Sequence, residues 1–233
     1  MTARYAIYFS PDDSSELGAF GWTVLRRRSL NADDWLNPHL PVEFPASSVW
    51  AERIKKPAQY GFHATIKAPF ELAEGQSSDK LITDLAEFCN SQTAIRLEGL
   101  APVRTCRYDS LAFEKQPETL PVLAAECVTQ FEQYRAPLSK TDFERRDPAS
   151  LSESELANLN RYGYPYVLDD FNFHMTLSGQ NSHDDQDYFD WLNQLYKSMV
   201  KDIPILDRLC VFHQPDRQSA FIRIAECMFG NSA

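Results

Sequence analysis

Apolar and polar residues alternate from the start of the chain. Tyr5, Ile7 and Phe9 fall on one side of an extended segment over 4–10, and Arg4, Ala6, Tyr8 and Ser10 on the other, which is the two-residue repeat of a half-buried strand. Over 14–28 the spacing of Leu17, Trp22 and Leu25 becomes helical. Residues 37–57 hold four prolines and predict a long irregular connection, after which 61–69 returns to strand character. Ser78 is placed to cap a helix over 79–91, where Leu81, Ile82, Leu85, Ala86 and Cys89 share one face. A strand over 94–104, another at Leu111–Phe113 and a helix from Glu118 to Tyr134 follow, then a polar segment over 136–150. Ser152 and Glu155 form a capping-box pattern that opens a short helix ending before Gly163. The pattern closes with a strand over Phe171–Ser178, a helix over 185–200 and strands over 204–213 and 219–228. These strands alternate rather than running solidly apolar, which favours antiparallel or mixed sheets with one open face.

The 233 residues are 43% hydrophobic and 24% charged, enough apolar material to bury a sizeable core as one large domain or two compact lobes. No apolar run approaches the roughly 20 residues that span a bilayer, and Met1-Thr2-Ala3-Arg4 leads into strand residues rather than a signal-peptide core. The expectation is a soluble, cytoplasmic protein without a membrane partner. A formal net charge of -10 argues against general nucleic-acid binding, which needs clustered Lys and Arg on the phosphate backbone. Arg26-Arg27-Arg28 is the one run of three basic residues and is assigned to a helix end, where it complements the dipole. Cys89, Cys106, Cys127, Cys210 and Cys227 include no C-x-x-C pair and read as reduced, buried small hydrophobes.

Candidate chemistry lies in a repeat. Phe62-His63-Ala64-Thr65-Ile66 and Phe173-His174-Met175-Thr176-Leu177 both read Phe-His-x-Thr-aliphatic, 111 positions apart from one histidine to the other. On a strand, His63, Thr65 and Lys67 share one face, as do His174, Thr176 and Ser178, while the aliphatic and Phe positions point the other way. Two such polar faces brought together would surround one point with two imidazoles and two hydroxyls. A neutral imidazole takes a proton from water, a charged one gives a proton to a leaving oxygen, and the hydroxyls donate to non-bridging phosphate oxygens. No metal-ligand spacing accompanies either histidine, and no metal or cofactor is expected. His39, His183 and His213 have no partner pattern and read as surface or structural residues.

Two H-x-T-aliphatic strands in the two halves of the chain resemble the two-histidine (2H) phosphoesterase superfamily, which includes cyclic nucleotide phosphodiesterases and RNA 2′,3′-cyclic phosphodiesterases. Arg4-Tyr5-Ala6-Ile7-Tyr8-Phe9, Tyr60 to Phe70, Arg135-Ala136-Pro137-Leu138-Ser139 and Gly163-Tyr164-Pro165-Tyr166-Val167 resemble a narrower, uncharacterised branch linked to phosphonate utilisation. The resemblance implies an α+β fold: one bilobal domain over 1–233, with two pseudo-symmetric lobes of antiparallel sheet backed by helices and facing a central cleft. The first H-x-T strand would lie near 61–68 and the second near 171–178. It also implies Arg, where this chain has Asn172, two residues before the second histidine.

The implied activity is metal-independent hydrolysis of a small cyclic phosphodiester, with His63, Thr65, His174 and Thr176 catalytic and the branch pointing to a phosphorylated sugar or nucleotide in phosphonate metabolism. Arg135 has the fork to hold a second phosphate or, alternatively, serves as a helix C-terminal cation. Tyr60, Tyr164 and Tyr166 flank the strands as stacking or packing residues, and Lys67, Ser178, Tyr8 and Arg4 are further substrate-binding candidates from their faces. Two other functions remain open from these residues: a non-catalytic phosphate-ligand binding protein, separated from an enzyme by turnover, and an RNA 2′,3′-cyclic phosphodiesterase, which would need a basic stripe.

Overall fold

A computed structural model describes residues 3–31, 41–42, 47–105, 108–179 and 186–232; His39, Cys106 and His183 lie outside them. Along the chain run β1 (Arg4–Phe9), α1 (Glu16–Leu25), α2 (Ser47–Tyr60), β2 (Ala64–Phe70), α3 (Ser78–Asn90), β3 (Ile95–Arg96), β4 (Ala101–Arg104), β5 (Asp109–Ala112) and α4 (Thr119–Gln130). Then come α5 (Lys140–Glu144), α6 (Glu153–Tyr162), β6 (His174–Thr176), α7 (Gln186–Met199), β7 (Ile205–Leu206), β8 (Arg208–Gln214) and β9 (Ile222–Met228).

Seven strands form one antiparallel sheet in the order β4-β5-β6-β2-β1-β8-β9, and β3 and β7 pair separately. The sheet has two parts, β2-β1-β8-β9 and β4-β5-β6, which meet at the pair Ala64↔Met175. The two H-x-T strands are therefore neighbours at its centre.

One face carries the alternating apolar residues Ile7, Phe9, Ala64, Ile66, Met175, Leu177, Leu209 and Val211. These pack with Leu17, Phe20 and Val24 of α1, Leu81 and Leu85 of α3, Leu120 and Leu123 of α4, and Trp191 and Leu195 of α7. At about 1.5–3 kcal/mol for each fully buried large side chain, this layer dominates the favourable side of folding. The opposite face holds a smaller apolar cluster of Ala6, Tyr8, Cys210, Phe212 and Phe221, with Tyr60 against it. Cys89, Cys127, Cys210 and Cys227 are buried and free.

Several boundaries differ from the pattern for local reasons. Part of the proline-rich stretch is helical: α2 continues through Pro57. Proline has no N–H to give to the carbonyl four residues back, and that carbonyl, of Arg53, accepts instead from the Gly179 N–H at 2.7 Å. Ser77 rather than Ser78 caps α3, accepting from Lys80 N. The strand expected over 94–104 is split by a turn in which Leu100 N donates to Leu97 O. A five-residue helix, α5, occupies the polar segment over 136–150. The second H-x-T strand is shorter than its pattern because Phe173 N donates to the Gln116 side chain and the N–H groups of Leu177 and Ser178 both reach the Asp109 carbonyl. The capping box of α6 forms as the sequence predicts. Arg27 corrects the helix-dipole expectation: it is fully buried and donates to the carbonyls of Ala58, Asn31 and Phe221.

Candidate active site

Continuing the antiparallel register from Ala64↔Met175 sets His63 opposite Thr176 and Thr65 opposite His174. The repeat thus becomes a two-by-two patch in which each imidazole faces the other strand's threonine, with Cβ atoms about 4.5–5.5 Å apart across the strands. A cavity of about 550 Å³ opens on this face, with His63, Thr65, Thr176, Tyr8, Tyr60, Tyr108 and Tyr164 among its lining residues. His174 adjoins the lining residue Tyr108, ring centroids 5.7 Å apart. Among the described residues the Thr65 and Thr176 hydroxyls make no hydrogen bond, which leaves them as donors into the cavity.

Both imidazoles are held the same way. His63 Nδ1 lies 2.8 Å from Gly61 O and His174 Nδ1 lies 2.9 Å from Asn172 O. A carbonyl oxygen only accepts, so each Nδ1 carries a proton, and in the neutral ring Nε2 keeps its lone pair. Gly61 is required for this contact. It ends α2 with φ +80, and a Cβ would stand 2.0 Å from Ser29 Oγ, so no other residue presents that carbonyl to His63 without displacement.

The two environments differ. The Tyr8 ring stacks on His63 at 3.8 Å and 22°, and Tyr60 and Phe212 stand farther around it at 6.4 Å each. This aromatic enclosure desolvates the ring and pulls its pKa down to about 4, against the Gly61 hydrogen bond and with help from the charge of His174.

The other expected residues divide. Arg4, Tyr8 and Tyr60 line the cavity. Ser178 does so with its hydroxyl engaged, accepting from Asp109 N at 2.8 Å and donating to Gly179 O at 3.1 Å. Tyr166 is 41% exposed and stands edge-on to Tyr164. Asn172 is exposed, contributing its carbonyl to His174.

Lys67 is a correction. Tyr8 pairs with Thr65 but Ile7 with Lys67, so a β-bulge at Ile66 turns Lys67 to the helix side. There it is 3% exposed and donates to Glu132 Oε2 at 2.8 Å and Val128 O at 3.2 Å, while Ala68 takes the place on the cavity wall. Arg135 lines a neighbouring cavity, and its guanidinium is held by Glu132 at 2.6 Å and by the carbonyls of Ala136 and Arg161. Sequence reasoning missed Lys56, Tyr108 and Arg146, which also line the central cavity. Lys56 sits in the stretch read as an irregular connection and Arg146 in the one read only as polar, where no periodicity assigns a face.

An antiparallel α+β fold with a paired His-Thr patch on its central strands defines the class. Residues 65–222 match the model of a family described as "Protein of unknown function (DUF1045)", and the chain belongs to that family. Among curated proteins, one named ribose 1,5-bisphosphate phosphokinase PhnN from Janthinobacterium sp. (strain Marseille) is 34% identical over 186 residues, 79% of this chain and 40% of that protein. One of the same name from Laribacter hongkongensis is 31% identical over 222 residues, 94% of this chain and 50% of that protein. The chain thus spans half or less of the length of these relatives. Similar solved structures include E. coli LigT complexed with 3′-AMP, at TM-score 0.43 and 11% identity, covering 98% of this chain and 99% of that one. Another is TT0787 of Thermus thermophilus, at TM-score 0.44 and 12% identity, covering 99% of both.

Proposed function

We propose that this chain is a 2H-type phosphoesterase that hydrolyses a small cyclic phosphodiester without a metal ion. The observation that carries the reading is the His-Thr patch: two imidazoles in one tautomer, each opposite a threonine whose hydroxyl has no protein partner among the described residues. In the proposed reaction His63 Nε2 takes a proton from water as its oxygen attacks phosphorus. The phosphorus bond to one ring oxygen breaks, and His174, carrying its proton on Nε2, protonates the leaving oxygen. The product is a phosphomonoester beside a free hydroxyl. Thr65 and Thr176 donate to the non-bridging oxygens, where negative charge grows. The enclosed His63 suits the base and the more solvated His174 the acid.

The substrate class supported best is a phosphorylated sugar or nucleotide. A cavity of about 550 Å³ fits a small ligand, and the curated relatives are named for a reaction on a ribose bisphosphate. The proposal takes from that name the ribose phosphate chemistry and not the kinase reaction. No glycine in this chain is followed by lysine, so it lacks the G-x-x-x-x-G-K-[ST] phosphate loop of many nucleotide-using kinases. The deciding experiment follows the phosphorus resonances of a panel of cyclic sugar phosphates and cyclic nucleotides incubated with protein and EDTA. At least one should convert to a monoester, and conversion should be lost in His63→Asn and His174→Asn. A panel that binds but remains cyclic overnight would make the chain a phosphate-ligand binding protein instead.

A further inference from the structure

A second cavity of about 480 Å³ adjoins the first, and Arg4, Lys56, Tyr60, Pro69 and Arg146 line both. Its wall carries six cations, Arg4, Lys56, Arg135, Arg145, Arg146 and Arg217, and two acids, Glu71 and Asp142, in a chain of net charge -10. Pairing removes half of those cations. Arg217 lies 2.7 Å from Asp142 and 3.3 Å from Glu71, Arg145 lies 3.6 Å from Asp142, and Arg135 is held by Glu132.

The other three stand where the two cavities meet. Arg4 donates to a neutral acceptor, Gln214 Oε1, and lies over the Phe221 ring. Arg146 lies over the Tyr164 ring at 4.8 Å. Lys56 is exposed on the last turns of α2. Among the described residues none of the three has a carboxylate within ion-pair distance. Burial first and then the neighbouring Arg217 lower the Arg4 pKa, while Tyr60 and Tyr8 act in the opposite direction. Arg4 and Arg146 rest against aromatic rings and, for Arg4, an amide oxygen, and Lys56 is exposed; none of these contacts discharges a cation, so a dianion placed among the three gains ion pairs that no carboxylate now supplies.

We propose that Arg4, Lys56 and Arg146 form a second anion subsite that takes a phosphomonoester on the same substrate, beside the phosphodiester held by the His-Thr patch. The proposal rests on the phosphoesterase reading and narrows it: the substrate carries two phosphorus groups, one cyclic and one terminal. Arg135, expected from sequence to hold such a group, is replaced in that role by a set in which the sequence singled out only Arg4.

The test uses adenosine 2′,3′-cyclic phosphate with and without a 5′-phosphate as probes. Calorimetry on the full chain bearing His174→Asn measures binding without turnover, and kcat/KM is measured on the wild-type chain. The 5′-phosphorylated probe should bind at least about tenfold more tightly, a preference that weakens with added salt. Lys56→Ala and Arg146→Ala should each lower that preference about tenfold, with Arg146→Lys retaining part of it. Equal affinities, no binding of either probe, or a preference untouched by both alanine variants would overturn the subsite. Preferential binding without turnover of any cyclic phosphate would leave the subsite standing and remove the phosphoesterase reading. Turnover without preference would do the reverse.

Discussion

At the scale of single residues, the ring of Tyr8 on His63 sets the operating range of the site. With the base held near pH 4 by its aromatic enclosure, the acid limb of kcat/KM should fall near 4 rather than near the ordinary imidazole value of about 6.5. Tyr8→Leu admits water to the ring and should move that limb upward by about one unit or more; a limb already at 6.5 in the wild-type chain would contradict the assignment of His63 as base. The same depression acts on stability. The unfolded imidazole binds its proton near 6.5 and the folded one near 4, so unfolding takes up a proton between those values. This contribution is fully present above about 6.5, is lost as pH falls toward 4 and changes no further below it. Urea midpoints of wild-type and His63→Asn chains should therefore converge as pH is lowered through that window.

Elements decide which residues reach the site, and β2 shows how. One extra residue at Ile66 takes Lys67 from the cavity to a buried pair with Glu132. Lys67→Met fills the same space with an apolar side chain, so it should leave kcat/KM within about twofold of wild type and cost little stability. Glu132→Gln leaves the ammonium, whose pKa burial already lowers, without its charge partner and should cost about 2 kcal/mol by denaturant titration. Loss of activity in Lys67→Met would return Lys67 to the site. The two H-x-T strands, the capping box of α6 and the helical stripes were legible because each depends on spacings of two to four residues. A bulge shows no local mark in Ala64-Thr65-Ile66-Lys67. The partners of Lys67 and Arg135 are chosen by the packing of α4 and the turn after it, so their pairing was not legible.

For the whole molecule, the joining of two strand groups at Ala64↔Met175 makes the site depend on segments far apart in sequence: β2 follows the first helices, whereas β6 arrives 111 positions later, counted from one histidine to the other. The sequence conveyed this arrangement through the repeat, but not the interior that stabilises it. Arg27 ties the chain after α1 to α2 and to the segment entering β9 through three carbonyls, a role invisible in a run of three basic residues. Arg27→Met should lower stability by about 2–4 kcal/mol, since it leaves carbonyl acceptors unpaired between elements. Thermal unfolding measures the cost, and a loss under about 1 kcal/mol would show that water replaces the guanidinium. No helix among the described residues is long and apolar enough to cross a membrane.

The proline in α2 bears on how this protein would respond to engineering. A designer seeking a sturdier helix would replace Pro57, since its ring withholds a donor and every rule of helix propensity favours alanine there. Yet Arg53 O, which Pro57 leaves unclaimed, is the acceptor that anchors Gly179 just past the second H-x-T strand. An alanine N–H would compete for that oxygen and release Gly179, so a substitution scored as an improvement to the helix would loosen the wall of the cavity it borders. The apparent flaw in α2 is the fastening that joins it to the far strand, and tolerance at position 57 should follow the shape of the pocket rather than the regularity of the helix.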